Sequence, residues 1–267
     1  MSAIAATSDD EGHFFALAKV PLLTATFWGI KILTTGMGEA VSDYLRHHIG
    51  LVPALSIGCT GLVIALATQL SANRYRPSRY WFLVAMVAVF GTTVADGIHK
   101  MGVPVEFSSV VFAVLLATVL FAWHRIEGTL SVHSIFTRRR EYFYWLTVMA
   151  SFTLGTAAGD WTAGTLGLGN FLSGILFLVL FVLPAIGYRF FGLNGIAAFW
   201  ISYIMTRPLG ASFADWIAKP SSHEDLGFGT GPLSAILITL IILWVGYLAL
   251  THKDREPARV PVSLPAD

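Results

Sequence analysis

The chain has 267 residues, of which 55% are hydrophobic and only 12% charged, and its formal net charge is +1. A water-soluble domain carries about 25% charged residues, so this composition excludes a solvent-coated globule and points to lipid as the solvent. The near-neutral balance offers no basic footprint for nucleic acid, and a single cysteine, Cys59, excludes a disulfide framework, a paired-cysteine redox site and a thiolate zinc site.

Residues 1–20 include Asp9, Asp10 and Glu11 and read as an acidic cytoplasmic segment rather than a cleaved targeting peptide. Apolar stretches long enough to cross a bilayer follow at roughly 21–45, 54–72, 80–98, 107–124, 142–163, 171–188, 196–218 and 232–250. The expected fold class is therefore an all-α integral membrane protein with eight transmembrane helices in one domain, 21–251. The linkers are too short to hold a second domain. Cys59 falls in the second stretch and reads as small-residue helix packing. The polar, proline-bearing tail, 252–267, reads as disordered and cytoplasmic.

Orientation follows from Lys and Arg on alternate sides. One face, with both termini and the even-numbered loops, collects twelve: Lys19, Arg74, Arg76, Arg79, Arg125, Arg138, Arg139, Arg140, Arg189, Lys253, Arg255 and Arg259. The other face has only Arg46, Lys100 and Lys219. This bias predicts an N-in/C-in multi-pass protein of the cell inner (plasma) membrane.

The odd-numbered stretches share one pattern. Trp28, Gly38 and Asp43 recur as Trp81, Gly91 and Asp96, as Trp145, Gly155 and Asp160, and as Trp200, Gly210 and Asp215. With this composition a Trp has Gly ten residues on and Asp fifteen residues on by accident about 0.3% of the time, so four matches mark an internal repeat. The units are about 21–73, 74–125, 138–190 and 194–251. Each holds an even number of spans, so all four share one membrane orientation and are expected to pack as a parallel pseudo-symmetric ring or as two pairs.

The segments FWGIKILTTGMGEAVSD and YWLTVMASFTLGTAAGD, with their W-x9-G-x4-D spacing, resemble an uncharacterised bacterial integral membrane protein family built from four tandem two-span repeats with a characteristic tryptophan. The resemblance covers about residues 20–250. It implies topology and no activity.

Each Trp lies near the cytoplasmic start of its helix and reads as an interfacial anchor. The glycines lie mid-span, where a missing side chain lets helices approach, within one chain or between chains of a homo-oligomer. Fifteen residues carry each Asp about 22 Å along its helix from the Trp, into the outer half of the hydrocarbon. A carboxylate there is costly unless it faces partners or water.

Glu39, one turn deeper than Asp43, is a fifth acid, while Lys31 and Arg207 are intramembrane cations. Five acids against two bases leave a formal −3 for a divalent cation or protons to balance. Oxygen ligands from Glu39, Asp43, Asp96, Asp160 and Asp215, with hydroxyls of Thr35, Thr92 and Thr156 nearby, suit a hard divalent cation such as manganese. The expectation is a secondary transporter of a small, proton-coupled cation, with membrane lipid as its other partner, no cofactor and no nucleic acid. Arg207 precedes Pro208, whose ring should break the helix ladder.

The rival reading is a non-transporting scaffold or sensor in which the repeated Asp side chains cap helices and join repeats by salt bridges. Outer histidines His47, His48, His99 and His223 could capture or release a metal or respond to acid, but with the inner ones, His13, His124, His133 and His252, they read first as solvated loop residues. No sequence pattern offers a nucleophile, base and oxyanion set, so an enzyme is not expected.

Overall fold

The computed structural model describes residues 19–220 and 225–254. The acidic segment with Asp9, Asp10, Glu11 and His13, the outer His223, and the tail with Arg255 and Arg259 lie outside the described residues. Among those described there are eight α-helices and no strand: α1 Ala25–Ile49, α2 Leu51–Leu70, α3 Pro77–Lys100, α4 Val105–Glu127, α5 Arg138–Asp160, α6 Gly169–Phe190, α7 Gly195–Ala218 and α8 Thr230–Thr251. A 3-10 turn at Val132–Ser134 precedes α5, and a π-helical turn at Trp161–Thr165 continues it.

Local signals set the helix ends. Thr24 and Thr137 cap α1 and α5 through their hydroxyls, and Asn194 caps α7 by accepting from the amides of Ile196 and Ala197. Pro77 opens α3, where a missing amide hydrogen costs nothing. Gly128 ends α4 with φ +72°, a left-handed stop that a side chain would resist. Pro208 does not interrupt α7, which is continuous to Ala218. Having no amide hydrogen, Pro208 still leaves the ladder bond to the Ile204 carbonyl unmade, and its ring packs against Gly155 and Gly159 of α5.

The four odd helices form an inner ring in the cyclic order α1, α3, α5, α7, with α7 returning to α1. Each even helix lies outside and packs on the odd helix of the next unit: α2 on α3, α4 on α5, α6 on α7, and α8 on α1. Of the two arrangements open from the sequence, the closed ring is the one adopted. Five helices, α2, α3, α4, α6 and α8, are long and apolar enough to cross a membrane. Two-thirds of the α3 span is buried inside the protein, against 17–28% for the four outer helices. Chemistry is thus pushed inward, and the outer helices present Leu, Ile, Val and Phe. Cys59 sits on that exposed outer face of α2, not in a packed seam, because Ala54, Gly58, Leu62 and Ala65 form the buried stripe.

Candidate functional site

Three layers repeat around the ring, each linking one unit to the next in the same direction. At the tryptophan end, the aromatic residue before each Trp meets the Trp of the following unit. Phe27 lies 5.7 Å from Trp81, Tyr80 5.4 Å from Trp145, Tyr144 6.2 Å from Trp200, and Phe199 5.7 Å from Trp28, between ring centroids. Trp81, Trp145 and Trp200 are buried. The interfacial-anchor reading is corrected for them: their indoles fill the seams between units instead of meeting the lipid boundary. Tyr80 and Tyr144 share a hydroxyl hydrogen bond of 2.5 Å at the centre of this layer.

In the middle layer each repeated glycine faces the residue seven after the next unit's Trp. Gly38 meets Ala88, Gly91 meets Phe152, Gly155 meets Arg207, and Gly210 meets Thr35. At Gly38, Gly155 and Gly210 an added methyl would overlap the facing residue. These contacts explain why the spacing from Trp to Gly is fixed.

Arg207 occupies the axis of the ring and is fully buried. Its guanidinium donates to Glu39 Oε2 at 2.8 Å, to Thr156 Oγ1 at 2.8 Å, and to the hydroxyl oxygen of Thr92. A further contact reaches the carbonyl of Thr35 at 3.4 Å. Glu39, Thr92 and Thr156 hold the same position, eleven residues after Trp, in units one, two and three. One arginine of the fourth unit therefore collects the equivalent residue of the other three. Thr92 and Thr156 donate their own hydrogens to Ala88 and Phe152 carbonyls, which leaves their oxygens free to accept from Arg207. Thr35 donates to the carbonyl of Thr206, tying α1 to α7.

The third layer holds the acids. A basic residue eighteen or nineteen positions after Trp reaches the Asp of the next unit. Arg46 lies 3.4 Å from Asp96, His99 Nδ1 3.3 Å from Asp160, and Lys219 2.8 Å from Asp43. Arg46 also bonds Asp43 of its own helix, and Lys219 bonds Asp215 at 2.7 Å and approaches Glu39 at 3.9 Å. Among the described residues, the junction from the third unit to the fourth has no such bridge. Ala163 and Gly164 stand where the bases stand elsewhere, and they lie in the π-helical turn.

The predicted acids are thus brought together. Single ligand oxygens of Glu39, Asp43 and Asp96 lie within 4.8 Å of one another, and so do one ligand atom each of Asp96, His99 and Asp160. Asp215 joins the first group through Lys219. Among the described residues the four Asp side chains meet Arg46, His99 and Lys219. Around Lys219, at the end of α7, burial disfavours the charge, but the carboxylates of Asp215, Glu39 and Asp43 outweigh it and hold the ammonium well above the ordinary lysine range.

The charge count is corrected accordingly. Arg46 and Lys219, read from sequence as outer-loop bases, belong to the cluster. Five carboxylates against Lys31, Arg46, Arg207 and Lys219 leave a single formal negative charge rather than three. Lys31 contributes from a distance: it is fully buried, lacks a hydrogen-bonding partner, and lies 3.9 Å from the Phe152 ring centroid and 4.2 Å from that of Tyr203. It contacts rings rather than the acids.

Arg46 and Lys219 are the site residues that sequence reasoning passed over, and His99, read first as a solvated loop residue, lies on α3 beside Asp160. Extending the repeat alignment three or four residues beyond the Asp would have found them. A mostly apolar cavity of about 900 Å³, lined in part by Trp28, His133, Phe181, Tyr188 and Phe199, opens at the tryptophan end, away from the carboxylates.

A family model described as a repeat of unknown function, DUF347, matches the chain four times, over residues 26–75, 79–129, 143–192 and 198–254. Those matches follow the four two-helix units. No curated protein and no solved structure matches the chain.

Proposed function

The chain belongs to the DUF347 repeat family, and we propose that this member of it is a multi-pass inner-membrane transporter, not an enzyme, that exchanges a small manganese-like divalent cation against protons. The observation that carries the reading is the convergence of Glu39, Asp43 and Asp96, from two units, with one ligand oxygen each inside a 4.8 Å circle. Carboxyl oxygens gathered this closely offer a divalent cation several hard ligands at once. Asp160, a third exposed at its side chain, links that circle to the surroundings at the aspartate end.

In this reading the outer helices face hydrocarbon, both termini are cytoplasmic, and the tryptophan end is the cytoplasmic end. Two of the three bases counted on the opposite face, Arg46 and Lys219, are engaged with acids, which supports the same orientation by leaving that face nearly free of mobile positive charge. The aromatic layer closes the cytoplasmic end, and transport requires it to part while the aspartate end closes. Arg207 holds Glu39 and prevents the empty acids from repelling one another.

The test is manganese and proton flux in liposomes containing the purified protein. Asp43→Asn and Asp160→Asn are each expected to lower flux by about tenfold or more; unchanged flux in both removes these residues from the mechanism. The head-to-tail ion pairs favour a second reading, a membrane scaffold whose acids only join units. That reading expects the same substitutions to lower the unfolding temperature in a protein that carries no ion.

A further inference from the structure

The hydrogen bonds of His99 decide which of its nitrogens is free. Ser108 Oγ donates its hydrogen to the carbonyl of Val105 at 2.9 Å, so that oxygen can only accept from the ring. His99 Nε2 lies 2.9 Å from it and is therefore the protonated nitrogen. In the neutral ring this leaves Nδ1 as the nitrogen with an available lone pair. That lone pair faces Asp160 Oδ2 at 3.3 Å, with a carboxylate oxygen of Asp96 in the same group. Nine-tenths of the Asp96 side chain is buried, and its Oδ2 has no hydrogen-bond donor. The nearest cation, Arg46, stands 3.4 Å from that oxygen and gives its hydrogen bond to Asp43. Two carboxylates and an imidazole nitrogen thus converge beside a single permanent cation, Arg46, whose hydrogen bond goes to Asp43.

We propose that Asp96, His99 and Asp160 form a seat for a first-row divalent transition metal at the aspartate end, with His99 Nδ1 as the nitrogen ligand and Ser108 as the positioning residue. Magnesium and calcium prefer all-oxygen ligands, whereas an imidazole beside carboxylates suits manganese, iron, cobalt or zinc. The hydrogen bond from Nε2 to Ser108 is the outer-shell contact that fixes tautomer and ring orientation at such sites. Three units carry Arg46, Ala163 or Ala218 at the position of His99, so the seat exists once in the ring. Access suits the role: the His99 and Asp160 side chains are 14% and 33% exposed, while Asp96 leads inward to Asp43 and Glu39.

The inference rests on the transport reading and deepens it by naming the ligands that seat the cation, and its test reads binding without flux. Full-length protein in detergent is titrated with Mn²⁺ followed by the paramagnetic resonance of free ion, alone and against Mg²⁺ or Ca²⁺. Wild type is expected to prefer Mn²⁺, and His99→Gln to weaken Mn²⁺ by at least about tenfold while moving Mg²⁺ less than twofold. Ser108→Ala is expected to weaken Mn²⁺ less than His99→Gln does. Pulsed resonance of Mn²⁺ on wild type should show coupling to an imidazole nitrogen, and this needs no variant to fold. Absence of that coupling, or Mn²⁺ affinity unchanged in His99→Gln, overturns the proposal. Nitrogen coupling without flux leaves the seat standing and removes transport, whereas flux without nitrogen coupling removes the seat.

Discussion

The two ends of the inner ring obey the same repeat differently. At the tryptophan end all four junctions are closed by one kind of contact, an aromatic ring against the next unit's indole. At the aspartate end three junctions are bridged by three different bases, Arg46, His99 and Lys219, and the fourth is bare. The aspartates themselves are repeated four times; what reaches them is not. Symmetry is kept where rings pack and is given up where charges meet.

That contrast can be broken most sharply at its centre. Arg207 is the one axial residue that serves all units, and Arg207→Met leaves Glu39 buried with only the more distant Lys219. A loss of about 3–5 kcal/mol is expected from denaturant unfolding in detergent, and Glu39→Leu added to it should recover much of the loss. A double variant no more stable than Arg207→Met would show that the arginine stabilises through its threonine contacts instead.

The glycine layer comes next. Gly210→Ala would press a methyl into Thr35 and the backbone of Gly36, whereas at Gly91 the same methyl sits 3.2 Å from Phe152 Cβ. Overpacking of about 1–3 kcal/mol is expected for Gly210→Ala and a smaller cost for Gly91→Ala, read as unfolding temperatures. Equal costs would mean that the four seams are equivalent after all.

Smaller still is Tyr144→Phe, which strips the shared hydroxyl bond from the tryptophan end and leaves Tyr80 with a buried, unpaired group. About 1 kcal/mol is expected, with cation binding at the far end unchanged. If binding shifts, the two ends are coupled more tightly than the layers suggest. Least of all, Ala163→Arg would supply the missing base at the bare junction. A double-mutant cycle with Asp215→Asn should give less than about 1 kcal/mol of coupling, because position 163 is partly exposed and Asp215 already holds Lys219 at 2.7 Å.

Much of the architecture was legible because the repeat is written into covalent spacing. The distance from Trp28 to Gly38 to Asp43 is dictated by three contact layers, and periodic layers leave a periodic sequence. The destination of the tryptophans was not legible, since an indole satisfies an interface and a helix seam equally well, and only the ring closure selects the seam. Arg46 and Lys219 were assigned to loops because the first and seventh spans were ended at 45 and 218. In the structure α1 runs to Ile49, and Lys219 folds back from the end of α7 onto acids of another unit. Lys31 is counted from sequence as a counter-charge to the acids, but the groups it meets, Phe152 and Tyr203, come from other units and are apolar faces. Long-range neighbours of this kind are invisible to periodicity.

Asp96 belongs to both groups of converging ligand atoms, so substitution there tests the central claim most directly. Manganese movement into liposomes with an imposed pH gradient should fall at least about tenfold in Asp96→Asn while the protein remains folded. Movement within twofold of wild type, in a variant as stable as wild type, would contradict the account.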